Sequence, residues 1–214
     1  MQINQLRTRV KVCGITRAED ALEAVRCGAD AIGLVFYANS PRYVTAKQAQ
    51  VIVAAIPPFI SVVGLFVNAS QTEIEAVLSQ VRIDILQFHG DEDASECERI
   101  KLPYFKAIRV KSDTNLLQCE VDFKGAKALL LDTFSEAAFG GTGHVFDWDL
   151  IPKNMIKPLI LAGGLTSENV GLAIKKVQPY AVDVSGGVEH SKGIKDAIKI
   201  AAFMQAVNDH KVID

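Results

Sequence analysis

The stretch RVKVCGITRAEDALEAVRCGADAIGLVF, residues 9–36, contains the unit from which the whole fold is predicted. An apolar, β-branched run opens it at 9–12, an amphipathic segment follows at 17–27, and a second apolar run closes it at 31–36. The amphipathic segment places Ala21, Ala24 and Val25 on one face and ends before Gly28, a residue that helices favour just past their last turn. The pattern is therefore that of a strand, a helix and a second strand.

The same unit recurs along the chain. Most of the apolar runs are apolar on both faces, as in the strands of a parallel sheet that is covered on both sides. The predicted strands are 9–12, 31–36, 60–67, 84–88, 105–110, 128–131, 159–161 and 181–184. The predicted helices are 17–27, 45–54, 70–79, 91–101, 166–176 and 193–207, with two short helical segments near 113–119 and 147–151.

Eight strands that alternate with helices predict a (β/α)8 TIM barrel, an α/β fold with a parallel eight-stranded sheet. The length and the lack of a Pro/Gly/Ser-rich linker predict a single domain over residues 1–214. The alternative is an open doubly wound sheet, but no GxGxxG motif follows the first strand.

Composition narrows the class of protein. Hydrophobic residues make up 49% of the 214 residues, charged residues make up 22%, and the net charge is −2. These values predict a globular protein with no nucleic-acid partner, and the apolar runs are too short to cross a membrane. The first residues lack the apolar core of a signal peptide. Cys13, Cys27, Cys97 and Cys119 form no CxxC pair, which fits a reducing cytoplasm.

Polar and small residues collect where the predicted strands end, which is where TIM barrels carry their active sites. This set predicts an enzyme, and its members are Cys13, Asn39, Ser40, Arg42, Asn68, His89, Arg109, Asp132, Gly163, Gly164, Ser185, Gly186 and Gly187. His144, His190 and His210 lie away from strand ends, so no metal site is expected.

Two glycine-containing loops indicate a phosphate site. They are LAGGLTSENV at 161–170 and DVSGGVEHSKGIKD at 183–196, after the seventh and eighth strands. Glycine lets backbone N–H groups approach an anion closely, and these two loops bind phosphate in many TIM barrels. Either loop alone could be a tight turn, but the two together predict a phosphorylated small-molecule substrate.

Each candidate side chain also has an ordinary structural interpretation. Cys13 could be a small buried hydrophobe, and Asp132 could be a helix cap. Arg42 could be a solvated charge or the partner of a ligand carboxylate. His89 could be a structural hydrogen-bonding residue, which its context slightly favours, or a substrate contact.

The motifs VKVCGIT, GLVFYANSPRYV, QFHGDE, LLLDT, FGGTGHVFDW, LAGGLTSENV and DVSGGVE with a later GIKD resemble, in this order, those of the phosphoribosylanthranilate isomerases of tryptophan biosynthesis. The resemblance extends from Val10 to about Phe203. It implies a (β/α)8 barrel that converts N-(5′-phosphoribosyl)anthranilate to 1-(2-carboxyphenylamino)-1-deoxyribulose 5-phosphate by an Amadori rearrangement. It implies neither a cofactor nor a metal.

The resemblance also implies roles for individual residues. Cys13 is expected as general base, Asp132 as general acid and Arg42 as the partner of the anthranilate carboxylate. The remaining expected substrate contacts, mainly to the phosphate, are His89, Gly163, Gly164, Asn169, Asp183, Ser185 and Gly186. The family usually has DVSSGVE, so Gly186 stands where a serine hydroxyl is common, and weaker phosphate binding is expected.

Three other functions fit part of the pattern. A pentose-phosphate epimerase needs metal-ligating His and Asp at strand ends, and only His89 is placed for that. An indole-glycerol-phosphate synthase needs lysines at strand ends, where the sequence shows none. A non-catalytic barrel that binds a phosphometabolite would need the glycine loops but not both Cys13 and Asp132. The expected assembly is a monomer or a homodimer.

Overall fold

The computed structural model describes residues 7–133 and 147–210, and its main feature is a closed barrel of eight parallel strands. The strands follow one another around the barrel in chain order, and β1 pairs in parallel with β8 to close it. The predicted TIM barrel is confirmed, and the alternative of an open doubly wound sheet is wrong.

The elements have the following bounds. The barrel strands are β1 (Arg9–Cys13), β2 (Ala31–Val35), β3 (Ser61–Phe66), β4 (Ile85–Phe88), β5 (Tyr104–Val110), β6 (Leu129–Thr133), β7 (Leu159–Leu161) and β8 (Ala181–Val184). A hairpin of β9 (Glu189–Ser191) and β10 (Ile194–Lys195) follows. The α-helices are α1 (Ala18–Arg26), α2 (Ala46–Ala55), α3 (Gln71–Leu78), α4 (Ala94–Cys97), α5 (Leu116–Asp122), α6 (Val170–Val177) and α7 (Ala197–Asn208). Short 3-10 helices cover Trp148–Leu150 and Gly186–Val188.

Side-chain caps set the starts of several helices. Thr45, Ser70 and Asp93 each accept a hydrogen bond from a backbone N–H three residues later, and the Gln or Glu at that position bonds back to the cap. Such reciprocal capping satisfies N–H groups that a helix start would otherwise leave without partners. The loops at the C-terminal ends of β2, β3 and β4 are thereby tied to the first turns of their helices.

Three predicted helices differ from the structure. The segment 166–176 is helical only from Val170, because the side chain of Asn169 accepts a hydrogen bond from the N–H of Thr166 and the residues between them form a turn. The segment 91–101 is helical only over Ala94–Cys97. Asp93 caps the start of this helix, and the residues after it form turns and bends that lead to Pro103, which disfavours helical backbone at Leu102.

The first residues of the segment 193–207 belong to the hairpin instead: Gly193 lies in its turn with a φ of +84°, and β10 follows. Helix α7 begins only after Asp196, whose side chain accepts hydrogen bonds from the N–H groups of Ile198 and Lys199.

Alternation along the strands divides side chains between the helix layer and the barrel interior. The main apolar core lies outside the strands, where residues such as Val10, Val12 and Leu86 pack with the helices. A second apolar cluster, Val63, Phe105, Ala107, Ala128, Leu130, Ile160, Ala162 and Ala181, consists of residues of the opposite, interior-facing alternation. Cys13, Val35, Leu65 and Val67 form a third cluster at the C-terminal ends of the strands.

Among residues 7–133 and 147–210, no helix combines the length and the apolar character that crossing a bilayer requires.

Candidate active site

A cavity of about 440 Å³ opens at the C-terminal ends of the barrel strands. Nine of the ten predicted site residues line it: Cys13, Arg42, His89, Asp132, Gly163, Gly164, Asp183, Ser185 and Gly186. Asn169 is not among the lining residues. The predicted candidates, drawn from six strands and the loops after them, therefore converge on one space of the size that small-molecule sites usually have.

Cys13 is the last residue of β1 and is 6% exposed at the floor of this cavity. Burial and the carboxylate of Asp183 raise the pKa of its thiol above the ordinary value, whereas the ammonium of Lys11 lowers it. The net direction is upward, so Cys13 in the free protein is mainly a thiol at neutral pH.

Asp132 lies within β6 rather than after it, and its side chain points into the cavity. His89 Nε2 is 3.2 Å from Asp132 Oδ2, and the other ring nitrogen of His89 is 2.9 Å from the side-chain amide of Gln87. Gln87 and His89 are two residues apart, so the alternation of side chains along β4 places both on the face that lines the cavity with Asp132. His89 is hydrogen-bonded and also lines the cavity, which agrees with both of its predicted interpretations.

Arg42 is held in the cavity wall by Glu189 from the hairpin. Its Nε and Nη2 donate to the two carboxylate oxygens of Glu189 at 2.7 and 2.8 Å. Lys195 Nζ lies 3.0 Å from the same carboxylate, and the N–H of Gly193 donates to it. Burial alone would raise the pKa of Glu189, but its hydrogen bond to Arg42 and the charge of Lys195 bring it below the usual range. Glu189 therefore occupies the Nε–Nη2 edge of the guanidinium, and among residues 7–133 and 147–210 no hydrogen bond is found for Nη1.

The two glycine loops form one wall of the cavity. Gly163 and Gly164 have φ values of +81° and +64°, a left-handed backbone that favours glycine. The side chain of Asn169 accepts a hydrogen bond from the N–H of Thr166 and donates one to the carbonyl of Gly164. Asn169 thus stabilises the conformation of the loop at 163–166 without lining the cavity itself. Gly186 and Gly187 lie in the short 3-10 helix after β8.

The comparisons with known proteins agree with this geometry. The model of the family described as N-(5'phosphoribosyl)anthranilate (PRA) isomerase matches residues 10–206. An N-(5'-phosphoribosyl)anthranilate isomerase of Pseudomonas fluorescens (strain SBW25) is 61% identical over 201 residues, covering 94% of this chain and 96% of that protein. The chain belongs to the N-(5′-phosphoribosyl)anthranilate isomerase family.

Solved structures of family members have the same fold. The crystal structure of phosphoribosyl anthranilate isomerase from Thermotoga maritima is 39% identical, with a TM-score of 0.87 over 94% of this chain and 99% of that one. A further crystal structure, 37% identical with a TM-score of 0.81 over the same shares, is a complex of the isomerase with reduced 1-(o-carboxyphenylamino)-1-deoxyribulose 5-phosphate. Another neighbour is described as monomers made from the dimeric Thermotoga maritima enzyme.

Family membership decides between the functions that the sequence left open. This isomerase is an enzyme of tryptophan biosynthesis that carries out the Amadori rearrangement of N-(5′-phosphoribosyl)anthranilate. An epimerase, an indole-glycerol-phosphate synthase and a non-catalytic binding barrel are set aside.

Several polar residues of the site were missed by sequence reasoning. Lys11 and Lys195 pair with the cavity-lining carboxylates of Asp183 and Glu189. The missed residues that line the cavity themselves are Tyr37, Gln87, Thr166, Glu189 and Lys192. Lys11 and Gln87 lie inside β1 and β4 rather than just beyond a predicted strand, where the candidate residues are expected. A signal was available, because alternation puts Lys11 on the same face as Cys13. Glu189 and Lys195 were missed because the hairpin was predicted as loop and helix.

Two further expectations concern residues at the margin of the site. Arg109, near the end of β5, forms an ion pair with Asp91 and is not among the cavity-lining residues. Most of the FGGTGHVFDW motif, including His144, lies outside the described residues. Within the described ranges, no three His, Cys, Asp or Glu side chains are grouped so that they could hold a metal ion.

Proposed function

We propose that the isomerase reaction takes place in this cavity, with Asp132 as the general acid and Cys13 as the general base. The observation that carries the proposal is that both side chains line one cavity from β1 and β6. Two strands, β7 and β8, separate them along the shorter way around the barrel. A ribose between them can therefore meet a proton donor on one side and a proton acceptor on the other.

The first step is ring opening. Asp132 donates a proton to the furanose ring oxygen while the bond from that oxygen to C1′ breaks. The lone pair of the anilino nitrogen forms the C=N bond of a Schiff base. A positioned acid accelerates such a step about 100- to 10,000-fold. His89 lies beside this acid, with its Nε2 3.2 Å from Asp132 Oδ2.

The second step is removal of the C2′ proton. The thiolate of Cys13 takes this proton, and the electron pair moves into a C1′–C2′ double bond and neutralises the nitrogen. The enolamine then gains a proton at C1′ and loses one from the C2′ hydroxyl, which gives the ketone. One proton is donated and one accepted over the first two steps, so the proton count of the isomerisation balances.

The two ends of the substrate are bound by different parts of the wall. We assign the phosphate to the loops of Gly163, Gly164, Ser185 and Gly186, since backbone N–H groups of such loops bind anions. We assign the anthranilate carboxylate to Nη1 of Arg42, which Glu189 holds in place through the other side of the guanidinium. Because both ends of the substrate are bound, the ribose is held between the acid and the base, and this positioning contributes to catalysis.

Turnover of substrate generated in situ tests the assignment of acid and base. We expect Cys13→Ala and Asp132→Asn each to lower kcat at least about a hundredfold with the fold retained. Cys97→Ala is the matched control, because Cys97 is also a buried thiol but packs in the outer core. A Cys13→Ala variant with the parent's kcat would contradict the proposal, and the base would then be sought first at His89.

Assembly and location are also proposed. All four cysteines are free, which is typical of proteins from a reducing compartment, and supports the cytoplasm as location. We propose a monomer or a homodimer, which sedimentation velocity would distinguish.

A further inference from the structure

Lys11 is a buried lysine in the middle of the barrel. It is 4% exposed, and its Nζ lies 2.9 Å from both carboxylate oxygens of Asp183 on the neighbouring strand β8. A charged lysine is rarely buried unless it is paired, because the ammonium loses its hydration. Asp183 supplies the partner, and the charge of its carboxylate raises the pKa of Lys11 above the ordinary value although burial opposes this.

The same lysine also faces Cys13. Lys11 and Cys13 are two residues apart in β1, so both side chains project into the barrel. A methyl group at Gly33 of β2 would lie 2.7 Å from Cys13 Sγ and 3.0 Å from Lys11 Nζ. The absence of a side chain at Gly33 therefore leaves the space in which the thiol and the ammonium approach each other.

The charged groups that act on Cys13 come from four elements. Lys11 on β1 and Lys195 on β10 favour its thiolate, and Asp183 on β8 opposes it. Arg42, after β2, interacts with the thiol from the cavity wall. Among these charges Lys11 has the largest effect on Cys13, followed by Asp183.

We propose that Lys11 is a positioning residue that stabilises the thiolate of Cys13, with Asp183 as the counter-ion that holds the ammonium in place. The thiolate is the form that accepts the C2′ proton, so Lys11 acts on the reaction through Cys13. This inference rests on the proposed role of Cys13 as the base. The measurement that tests it is independent of that role.

The test is the rate at which iodoacetamide alkylates Cys13, followed by mass spectrometry of the peptide that contains it, between pH 6 and 10. Only the thiolate reacts, so the rate reports its population. In Lys11→Met we expect alkylation at pH 8 to slow about tenfold, since an opposite charge close by shifts a thiol by about one pKa unit or more. In Asp183→Asn we expect it to accelerate at least about threefold, because a like charge is removed and the thiolate of Cys13 then becomes the anionic partner of the Lys11 ammonium.

The opposite signs separate an electrostatic role from a structural one. A cavity that is merely loosened by substitution would expose Cys13 and accelerate alkylation in both variants. Lys106→Met is the matched control, because Lys106 is equally buried and paired with Glu92 but faces away from Cys13. That variant should alkylate Cys13 at the parent's rate. Lys11→Arg, which keeps the charge, should recover part of the rate lost in Lys11→Met.

Activity provides the second readout. Lys11→Met should lower kcat more than it raises KM, and the rise of kcat with pH should move to higher pH. Faster or unchanged alkylation in Lys11→Met would overturn the proposal whatever the activity. If alkylation slows as expected but Cys13→Ala retains the parent's kcat, Lys11 controls the thiol and the proposed role of Cys13 is wrong.

Discussion

Arg42 provides the sharpest test of how the substrate is held. Its side chain is only 13% exposed, and Nε and Nη2 are both bonded to Glu189. A substrate carboxylate would therefore meet Nη1 in a poorly screened environment. A hydrogen bond to a charged group contributes about 1.5–3 kcal/mol, and about 1.4 kcal/mol corresponds to a factor of ten. Arg42→Ala should accordingly raise KM about ten- to hundredfold.

The variant should still fold. Without Arg42, Glu189 keeps Lys195 at 3.0 Å and the N–H of Gly193 at 3.2 Å, so its buried carboxylate is not left without partners. Arg42→Lys should recover only part of the loss, because one ammonium lacks the geometry to bind Glu189 through two N–H groups and the substrate through a third.

The assay compares two ligands. KM is measured with substrate generated in situ, and the inhibition constant of ribulose 5-phosphate is measured beside it. Ribulose 5-phosphate has the phosphate but no carboxylate, so its inhibition constant should not change in Arg42→Ala. An equal loss for both ligands would assign Arg42 to the phosphate. An unchanged KM in both Arg42→Ala and Arg42→Lys would show that Arg42 does not bind the substrate.

Three further predictions concern the reacting groups and the phosphate loops. The profile of kcat/KM against pH should be bell-shaped. Its rising limb should report the loss of the proton from Cys13, whose pKa burial raises, and should therefore disappear in Cys13→Ala when the residual activity is measured over pH. Gly164→Val should raise KM more than it lowers kcat, because φ is +64° there and valine strains the loop, and an unchanged KM would locate the phosphate elsewhere. In Gly186→Ser, the nearest neighbour of the new Cβ would be Arg42 Nη2 at 3.5 Å, an ordinary contact. The added hydroxyl should lower the inhibition constant of inorganic phosphate about tenfold, as one charge-assisted hydrogen bond allows, and competition kinetics would check it.

The barrel was predictable because its signal is periodic. Most of the strands, such as Leu129–Leu131, are apolar on both faces, as expected for a sheet that is covered on both sides. The helix starts at Thr45 and Ser70 were equally readable, since their caps act within four residues. The hairpin at 189–195 was not readable, because its geometry depends on contacts of Glu189 with Arg42, 147 residues away in the chain.

The same distinction applies to the site. Glycine loops and strand ends are local features, so Gly163, Gly164 and Cys13 could be proposed from the sequence. The partner of a buried charge is not local, because Lys11 finds Asp183 only after the barrel closes between β1 and β8. For that reason Asp183 was expected as a substrate contact, and its ion pair with Lys11 was not foreseen.

Asp183 connects the two halves of the proposed mechanism. The reaction needs Asp132 protonated and Cys13 deprotonated at the same pH, although carboxyl groups ordinarily lose their proton well before thiols do. Lys11 favours the thiolate on the β1 side, and Asp132 with His89 occupies the β4 and β6 side. Burial raises the pKa of Asp183, Lys11 opposes that rise, and both Asp132 and His89 act on the same carboxylate. The charge of Asp132 therefore acts on the carboxylate of Asp183, and the charge of Asp183 acts on the thiol of Cys13. The titration of Cys13 should therefore depend, through Asp183, on the charge at residue 132. Asp183→Asn should then do more than accelerate alkylation of Cys13, because it should also weaken the dependence of the Cys13 titration on whether residue 132 is Asp or Asn.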